Sequence, residues 1–558
     1  VVPASAPRAR VAVVSVLVAT FVIAAACSSS SSDNSTSGTG QTSGTVPTAI
    51  TVAEPTNPTD GGTLNFGLGA ETSDGWDPTN STWASSATIV SHAVFDRLTE
   101  YDENHDAQPF LAESVQPNAD YTAWTVKVRS GIKFHDGSDL DAQAVKFNLD
   151  KQKTSTLTGA ALSVMGDITV VDQYTVQVQM KAPWATFPAA LTTQAGVVAA
   201  PSQLQAAQPA QHPIGTGPFV FDHWTPDSEL TVTKNPDYWV KDSGGRQLPY
   251  LDGINFKVLA DVQSRGAAFA SGSVDAIETF DPSQIVEYQK KAEQGQYQMY
   301  SNQNREEAVQ LVYLNTAKPP FDDPLARQIV AYGTDRDTIS KTQYLGLFPP
   351  TTSLFPETSR FYAADTGYPE YDLQKATELH DEYKQKYGKP LSFTLNLPST
   401  PEFKAIGELE KETASSYGVD INLNLVDQST LIVNAALGDF EATGLISIGD
   451  ANIDPVFFTG DTVKPIGQIA LNFSRLDDPQ LTQDFVDYRS TPDAAAQTAA
   501  WDRAQQRIAQ NLNVIFVVRN GAAVIYTNSV FGFLDAVLPN GQPIELTTAP
   551  YTAWVFKT

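Results

Sequence analysis

The sequence predicts an α/β fold, clearest between about residues 300 and 520, with a region richer in β-structure before it. Two observations carry this. Leu391 to Leu397 alternates as a strand, Glu402 to Tyr417 has helical spacing and stops at Gly418, and Val419, Ile421, Leu423 and Leu425 restore a period of two. Strand, helix and strand in that order make a βαβ unit. The second observation is a pair of flanking helices. One starts after Asp372, a good N-cap, and ends at Gly388; the other runs through Trp501 to Asn511 and leads into the apolar strand Val514 to Val518.

Earlier elements read differently. Thr63 to Gly69 reads as a strand. In Thr122 to Arg129, Trp124, Val126 and Val128 fall on one face while Thr125, Lys127 and Arg129 fall on the other. Tyr174, Val176, Val178 and Met180 alternate in the same way, as half-buried antiparallel strands do. Ser28 to about Asp60 is a Ser, Thr, Gly and Pro tract without apolar period, the composition of a flexible tether.

Ahead of that tether stand Arg8 and Arg10, an apolar run from Val11 to Ile23, and three alanines before Cys27, the single cysteine. Basic, apolar and small residues in that order form a secretory signal. The run from Val11 to Ala26 is shorter than the roughly 20 residues needed to cross a bilayer. Cys27 sits at the cleavage position and resembles the lipid-modified cysteine of a bacterial lipoprotein signal, although Ala24 stands where Leu is commoner. The expected location is therefore the extracytoplasmic face of the cell membrane, with residues 1–26 removed and 27–60 serving as anchor and linker.

The chain has 558 residues, enough for two or three domains, and 41% hydrophobic residues supply well-packed cores. Its formal net charge of −27 argues against nucleic acid as a partner, because phosphate binding needs a basic surface. Catalytic signatures are missing: there is no HExxH and no GxSxG. The six histidines (His92, His105, His135, His212, His223 and His380) include no pair spaced for a metal on one helix turn. Ser130-Gly131-Ile132-Lys133 matches SxxK, but it ends a strand and no KTG follows. A chain this large without a catalytic set reads as a binder, with no cofactor and no metal expected.

Four stretches narrow the class. The first is Val94 to Val115 with Trp124 to Asp150, containing Leu-Ala-Glu-Ser and Phe-His-Asp-Gly. The second is Pro213 to Trp224, followed by Asn235-Pro236-Asp237-Tyr238-Trp239. The others are Ser271 to Ile277 and Leu314 to Ile339. In this order they resemble the large solute-binding proteins of peptide- and nickel-type ABC importers. Each also has a bland physical reading. Gly215 and Gly217 permit a tight turn where the chain crosses between lobes. Asp136-Gly137 is a turn, Asp139 or Asp141 caps the next helix, and Asp335-Arg336-Asp337 forms a polar cluster at a helix end.

The resemblance implies a two-lobed periplasmic-binding-protein-like α/β fold with a hinge between lobes and an extra subdomain. Residues 61–85, 212–300 and 523–558 would form one domain, 86–211 the extra subdomain, and 301–522 the second lobe. It also implies a monomer that binds a peptide or another small solute and hands it to ABC permease membrane subunits. Nickel chelates, haem, sugars and opine-like compounds are the alternative cargoes, and a cell-wall peptide hydrolase is the competing class.

Three ligand-binding residues are expected. Asp450, in Gly444 to Phe458, matches the acidic residue that pairs with a peptide's amino terminus in relatives, though it lies five residues before Pro455 instead of four; Asp454 is read as a cap. Trp76 follows the first strand where relatives begin to line the cleft, and Tyr313 lies in the run entering the second lobe. Dipeptide-type members carry an arginine just after the strand at 391–397, where this chain has Pro398-Ser399-Thr400-Pro401. That departure favours longer peptides or another solute.

Overall fold

The computed structural model describes residues 49–558 apart from 73, 84, 156–157, 302–307, 448–449, 453–454 and 548–549. Cys27 and Asp454 therefore lie outside the described residues. Three principal sheets organise the chain. An eight-stranded mixed sheet has the order 49–50, 298–301, 523–526, 276–279, 63–68, 253–258, 229–234 and 219–225. Its central strand Thr63–Leu68 runs parallel to both Gly253–Val258 and Ala276–Thr279.

A four-stranded antiparallel sheet follows the order 112–117, 123–128, 175–180 and 165–172. Trp124, Val126 and Val128 are buried and Thr125 and Lys127 exposed, as the alternation requires. The third sheet has five strands, ordered 420–426, 392–398, 442–447, 309–314 and 514–519. Here the βαβ unit is explicit: Ser392–Pro398 pairs in parallel with Asp420–Val426, and the helix Pro401–Ser416 crosses between them.

Helix ends follow local chemistry. Asp372 caps Leu373–Tyr387, which closes on Gly388 in the left-handed conformation. Asp141, not Asp139, caps Ala142–Thr154, while Asp139 pairs with Lys133 at 2.6 Å. Asp335 caps Arg336–Gln343 through the Thr338 N–H. The helix read as starting at Trp501 begins earlier, at Ala494 behind the cap Asp493, because the alanine-rich first turns offer little apolar contrast. Trp501 is fully buried against Phe355 at 4.8 Å and Phe485 at 5.2 Å, and so anchors the helix in the second lobe's core.

One sequence reading needs correction. The tether is ordered before Asp60: Ala49–Ile50 pairs with Met299 and Tyr300 as an edge strand, because Ile50 packs on the hydrophobic core. The Pro58 carbonyl is also held by Arg246. The helix Ser85–Val94 packs into the core of the eight-stranded sheet through Ile89, Val90 and Ala93.

The chain joins the eight- and five-stranded sheets along two adjacent paths. Gln298–Ser301 pairs with Ala523–Tyr526 on one side, and Val309–Leu314 pairs with Val514–Arg519 on the other. Between them the Asn520 N–H donates to the Ala308 carbonyl at 3.0 Å and the Ser301 hydroxyl to Ala522 at 3.0 Å. Two side-by-side connections of this kind form a hinge.

Candidate functional site

The first two family-like stretches converge on a buried joint. Asp96 accepts hydrogen bonds from the Thr216 hydroxyl at 2.8 Å, Trp239 Nε1 at 2.9 Å and the Tyr238 hydroxyl at 3.2 Å. Burial pushes its carboxyl up to about 6 against the pull of those three donors. His135 donates its backbone N–H to the Gly215 carbonyl at 2.9 Å, and its ring Nε2 lies 3.0 Å from the Gly217 carbonyl. Burial holds the imidazole down to about 4, so it is neutral and structural. Arg97 and Glu100 form a buried ion pair at 3.3 Å, and His92 stacks on Tyr551 at 4.3 Å. These residues hold the small hairpin that begins at Thr99 against both flanking sheets.

That hairpin presents Tyr101 to the second lobe. The strand Thr99–Tyr101 pairs with Ala107–Pro109. His105, in the left-handed conformation between them, stacks on the Tyr101 ring at 3.9 Å and reaches Glu545 at 3.0 Å. So braced, the Tyr101 hydroxyl donates to Asp450 Oδ2 at 3.1 Å and accepts from Asn452 Nδ2 at 3.1 Å. Asp450 Oδ1 in turn accepts the Asn452 N–H, and Asn452 Oδ1 accepts the Tyr488 hydroxyl at 2.8 Å. Burial and the Asp450 charge raise the Tyr101 hydroxyl well above its ordinary range, so it remains a proton donor. A second bond across the same seam runs from the Ala185 N–H to the Arg489 carbonyl at 2.6 Å.

Of the three expected ligand residues, Asp450 lies at this seam. Trp76 does not: it is 2% exposed and packed against Trp83 at 6.3 Å and Trp224 at 6.0 Å. Tyr313 is likewise 2% exposed, set between Phe458 and Phe473 inside the second lobe. Both aromatic rings contribute to the cores of their own lobes, whose apolar surroundings outweigh the pull of a cleft position. Where dipeptide-type relatives carry an arginine, Thr400 accepts the Phe403 N–H and caps the crossover helix. Sequence reasoning did not find Tyr101, Asn452, Tyr488 or Arg489. Tyr101 and Asp450 are 349 residues apart, and no local pattern links them.

The seam yields a direct expectation. Tyr101→Phe deletes two cross-lobe hydrogen bonds, each worth about 1 kcal/mol. The solute-free protein should then populate open forms more, read as a larger radius of gyration by small-angle X-ray scattering. An unchanged radius would show that this contact does not hold the lobes together.

Two lobes joined by paired hinge connections and meeting at a polar seam define a binding protein of the periplasmic type. The chain belongs to the bacterial extracellular solute-binding proteins, family 5, whose model matches residues 106–465. It is 26% identical over 475 residues to the glutathione-binding protein GsiB of Pectobacterium atrosepticum, covering 82% of this chain and 88% of that protein. The match to GsiB of Escherichia coli is 28% over 318 residues and spans 59% of that protein. Among solved structures, AgaA of A. tumefaciens in complex with agropinic acid superposes with a TM-score of 0.76 at 24% identity, over 89% of this chain and 99% of that one. DppA of Helicobacter pylori in complex with the peptide STSA gives 0.76 at 20% identity, over 89% and 98%. No described helix is long and apolar enough to cross a membrane, and the described residues contain no cluster of three metal-ligating side chains.

Proposed function

We propose that this protein is the receptor of an ABC importer, tethered through lipidated Cys27 to the extracytoplasmic face of the membrane. It takes a peptide or related small solute between its lobes and delivers it to permease subunits as a monomer. The lobes would comprise 61–85 with 212–300 and 523–558, the adjoining subdomain 86–211, and 301–522. The observation that carries the reading is the polar seam of Tyr101, Asp450 and Asn452, which joins residues of both lobes. Solute binding stabilises the closed form relative to the open one, and no covalent step is needed.

An opine-like or other amino-carboxylate cargo is the second reading. It is favoured by the likeness to the agropinic-acid protein and by the cap Thr400 at the dipeptide-arginine position. Native mass spectrometry of freshly purified protein, with identification of the released compound, tests both. Recovery of peptides supports the first reading. Consistent recovery of a non-peptide solute replaces it with the second, and turnover of added peptides would overturn the receptor assignment.

A further inference from the structure

The sequence contains two Asn-Gly pairs, Asn520-Gly521 and Asn540-Gly541. Glycine after asparagine leaves the next backbone nitrogen unobstructed, because no β-carbon stands beside it. That nitrogen can reach the asparagine side-chain carbonyl unless the fold holds either group elsewhere. The two pairs differ in how they are held.

Asn540 lies in an exposed turn, and each group that would have to move is bound. Its Nδ2 donates to Gln542 Oε1 at 2.6 Å, and its Oδ1 accepts the Gln542 N–H at 3.0 Å. The Gly541 N–H donates to the Leu538 carbonyl at 2.8 Å. Asn520 is the opposite case. It sits in one of the two hinge connections, in the coil 520–522 where the strand Val514–Arg519 has ended and Ala523–Tyr526 has not begun. Its own N–H is pinned to the Ala308 carbonyl at 3.0 Å. Among the described residues, neither its side chain nor the Gly521 N–H makes a hydrogen bond. Asn520 is half-buried, so solvent still reaches it.

We propose that Asn520-Gly521 is a self-modifying site in the hinge, where Asn520 deamidates through a cyclic imide while the more exposed Asn540 is protected by its turn. The Gly521 nitrogen attacks the Asn520 side-chain carbonyl carbon and a C–N bond forms. The bond to the side-chain nitrogen breaks, and that nitrogen takes the Gly521 proton and leaves as ammonia. Solvent water then opens one of the two imide C–N bonds: its hydroxyl stays on the carbon and its proton returns to the Gly521 nitrogen. No oxidant or reductant is needed. The product is aspartate or isoaspartate, so residue 520 gains a carboxylate that is charged at neutral pH. In the isoaspartate the backbone runs through the former side chain and is longer by a single carbon. Only this connection is lengthened, beside the contact that holds it to Ala308, while the partner connection keeps its length.

The test incubates the folded protein in warm, mildly alkaline buffer and follows residues 520 and 540 by peptide mapping with mass spectrometry. Isoaspartate is read with an isoaspartyl methyltransferase. Asn540 must give up the bonds to Gln542 and Leu538 before it reacts, so residue 520 should convert at least about tenfold faster. In urea, which releases both sites, the two rates should come together. Gln542→Ala should speed conversion at 540 in the folded protein and leave 520 unchanged, and Asn520→Gln should remove the fast conversion. Modification of Asn540 ahead of Asn520, or level with it, in the folded protein overturns the inference. So does a folded protein in which Asn520 stays intact while the urea-unfolded chain converts.

Discussion

Replacing Glu410 by glutamine raises the stability of the second lobe by up to about 3 kcal/mol at pH 8 and leaves it unchanged at pH 4. Glu410 lies on the crossover helix Pro401–Ser416 and lines a cavity of about 30 Å³ with Val312, Val330, Ile339, Phe393, Leu395 and Ile421. Desolvation by these walls pushes its carboxyl up to about 7, from 4.5 in an unfolded chain. Below 4.5 both states hold the proton and the group is neutral in each. As pH rises toward 7 the unfolded chain ionises first, so stability falls; above 7 the full penalty is in place. Glutamine cannot ionise and escapes it. Glu410 keeps some exposure, which makes the figure an upper limit. Hydrogen-exchange protection of the 401–416 amides in wild type and variant, followed from pH 4 to pH 8 and corrected for intrinsic exchange rates, reads this directly. Curves that stay parallel across the range would show that Glu410 is solvated in the folded protein.

The same helix shows how far the sequence could be read. Its apolar spacing, its stop at Gly418 and the alternating strands on either side are local signals, and the parallel pairing of 392–398 with 420–426 follows from them. The acid facing the cavity has no local signal, since Glu402, Glu408, Glu410 and Glu412 look alike until the helix is docked. The site divides in the same way. Asp450 was accessible through its resemblance to relatives. Tyr101 was not, because strand alternation says nothing about a partner in the other lobe. For Trp76 and Tyr313 the sequence could not separate two roles: a large aromatic beside an expected cleft is also what a lobe needs for its core, and here each ring has aromatic neighbours inside its own lobe.

Gly215→Ala should cost about 3 kcal/mol or more, and the reason is not the one the sequence suggested. Gly215 and Gly217 read as residues of a tight turn between lobes, yet neither adopts a left-handed conformation. What they allow is contact: a β-carbon on Gly215 would sit 2.0 Å from the Val94 carbonyl oxygen and 2.7 Å from Phe95 Cδ1, and one on Gly217 would sit 2.5 Å from the Val94 carbonyl carbon. The obstructing atoms are largely backbone at the end of the helix Ser85–Val94 and cannot rotate away. Gly137 is the control. It has φ +84° in the Asp136-Gly137 turn with open space where a β-carbon would go, so Gly137→Ala carries strain alone, about 1 kcal/mol. Urea denaturation of both variants separates the two effects, and equal losses would sink the close-contact reading. The consequence reaches the seam. Thr216, between the two glycines, bonds Asp96, and the chain from Asp96 continues through Arg97 and Glu100 to Tyr101. Forcing the 215–217 segment away from Val94 displaces the base of the hairpin that aims Tyr101 at Asp450. Any folded fraction of Gly215→Ala should therefore share the larger solute-free radius expected of Tyr101→Phe, whereas Gly137→Ala should keep the wild-type radius.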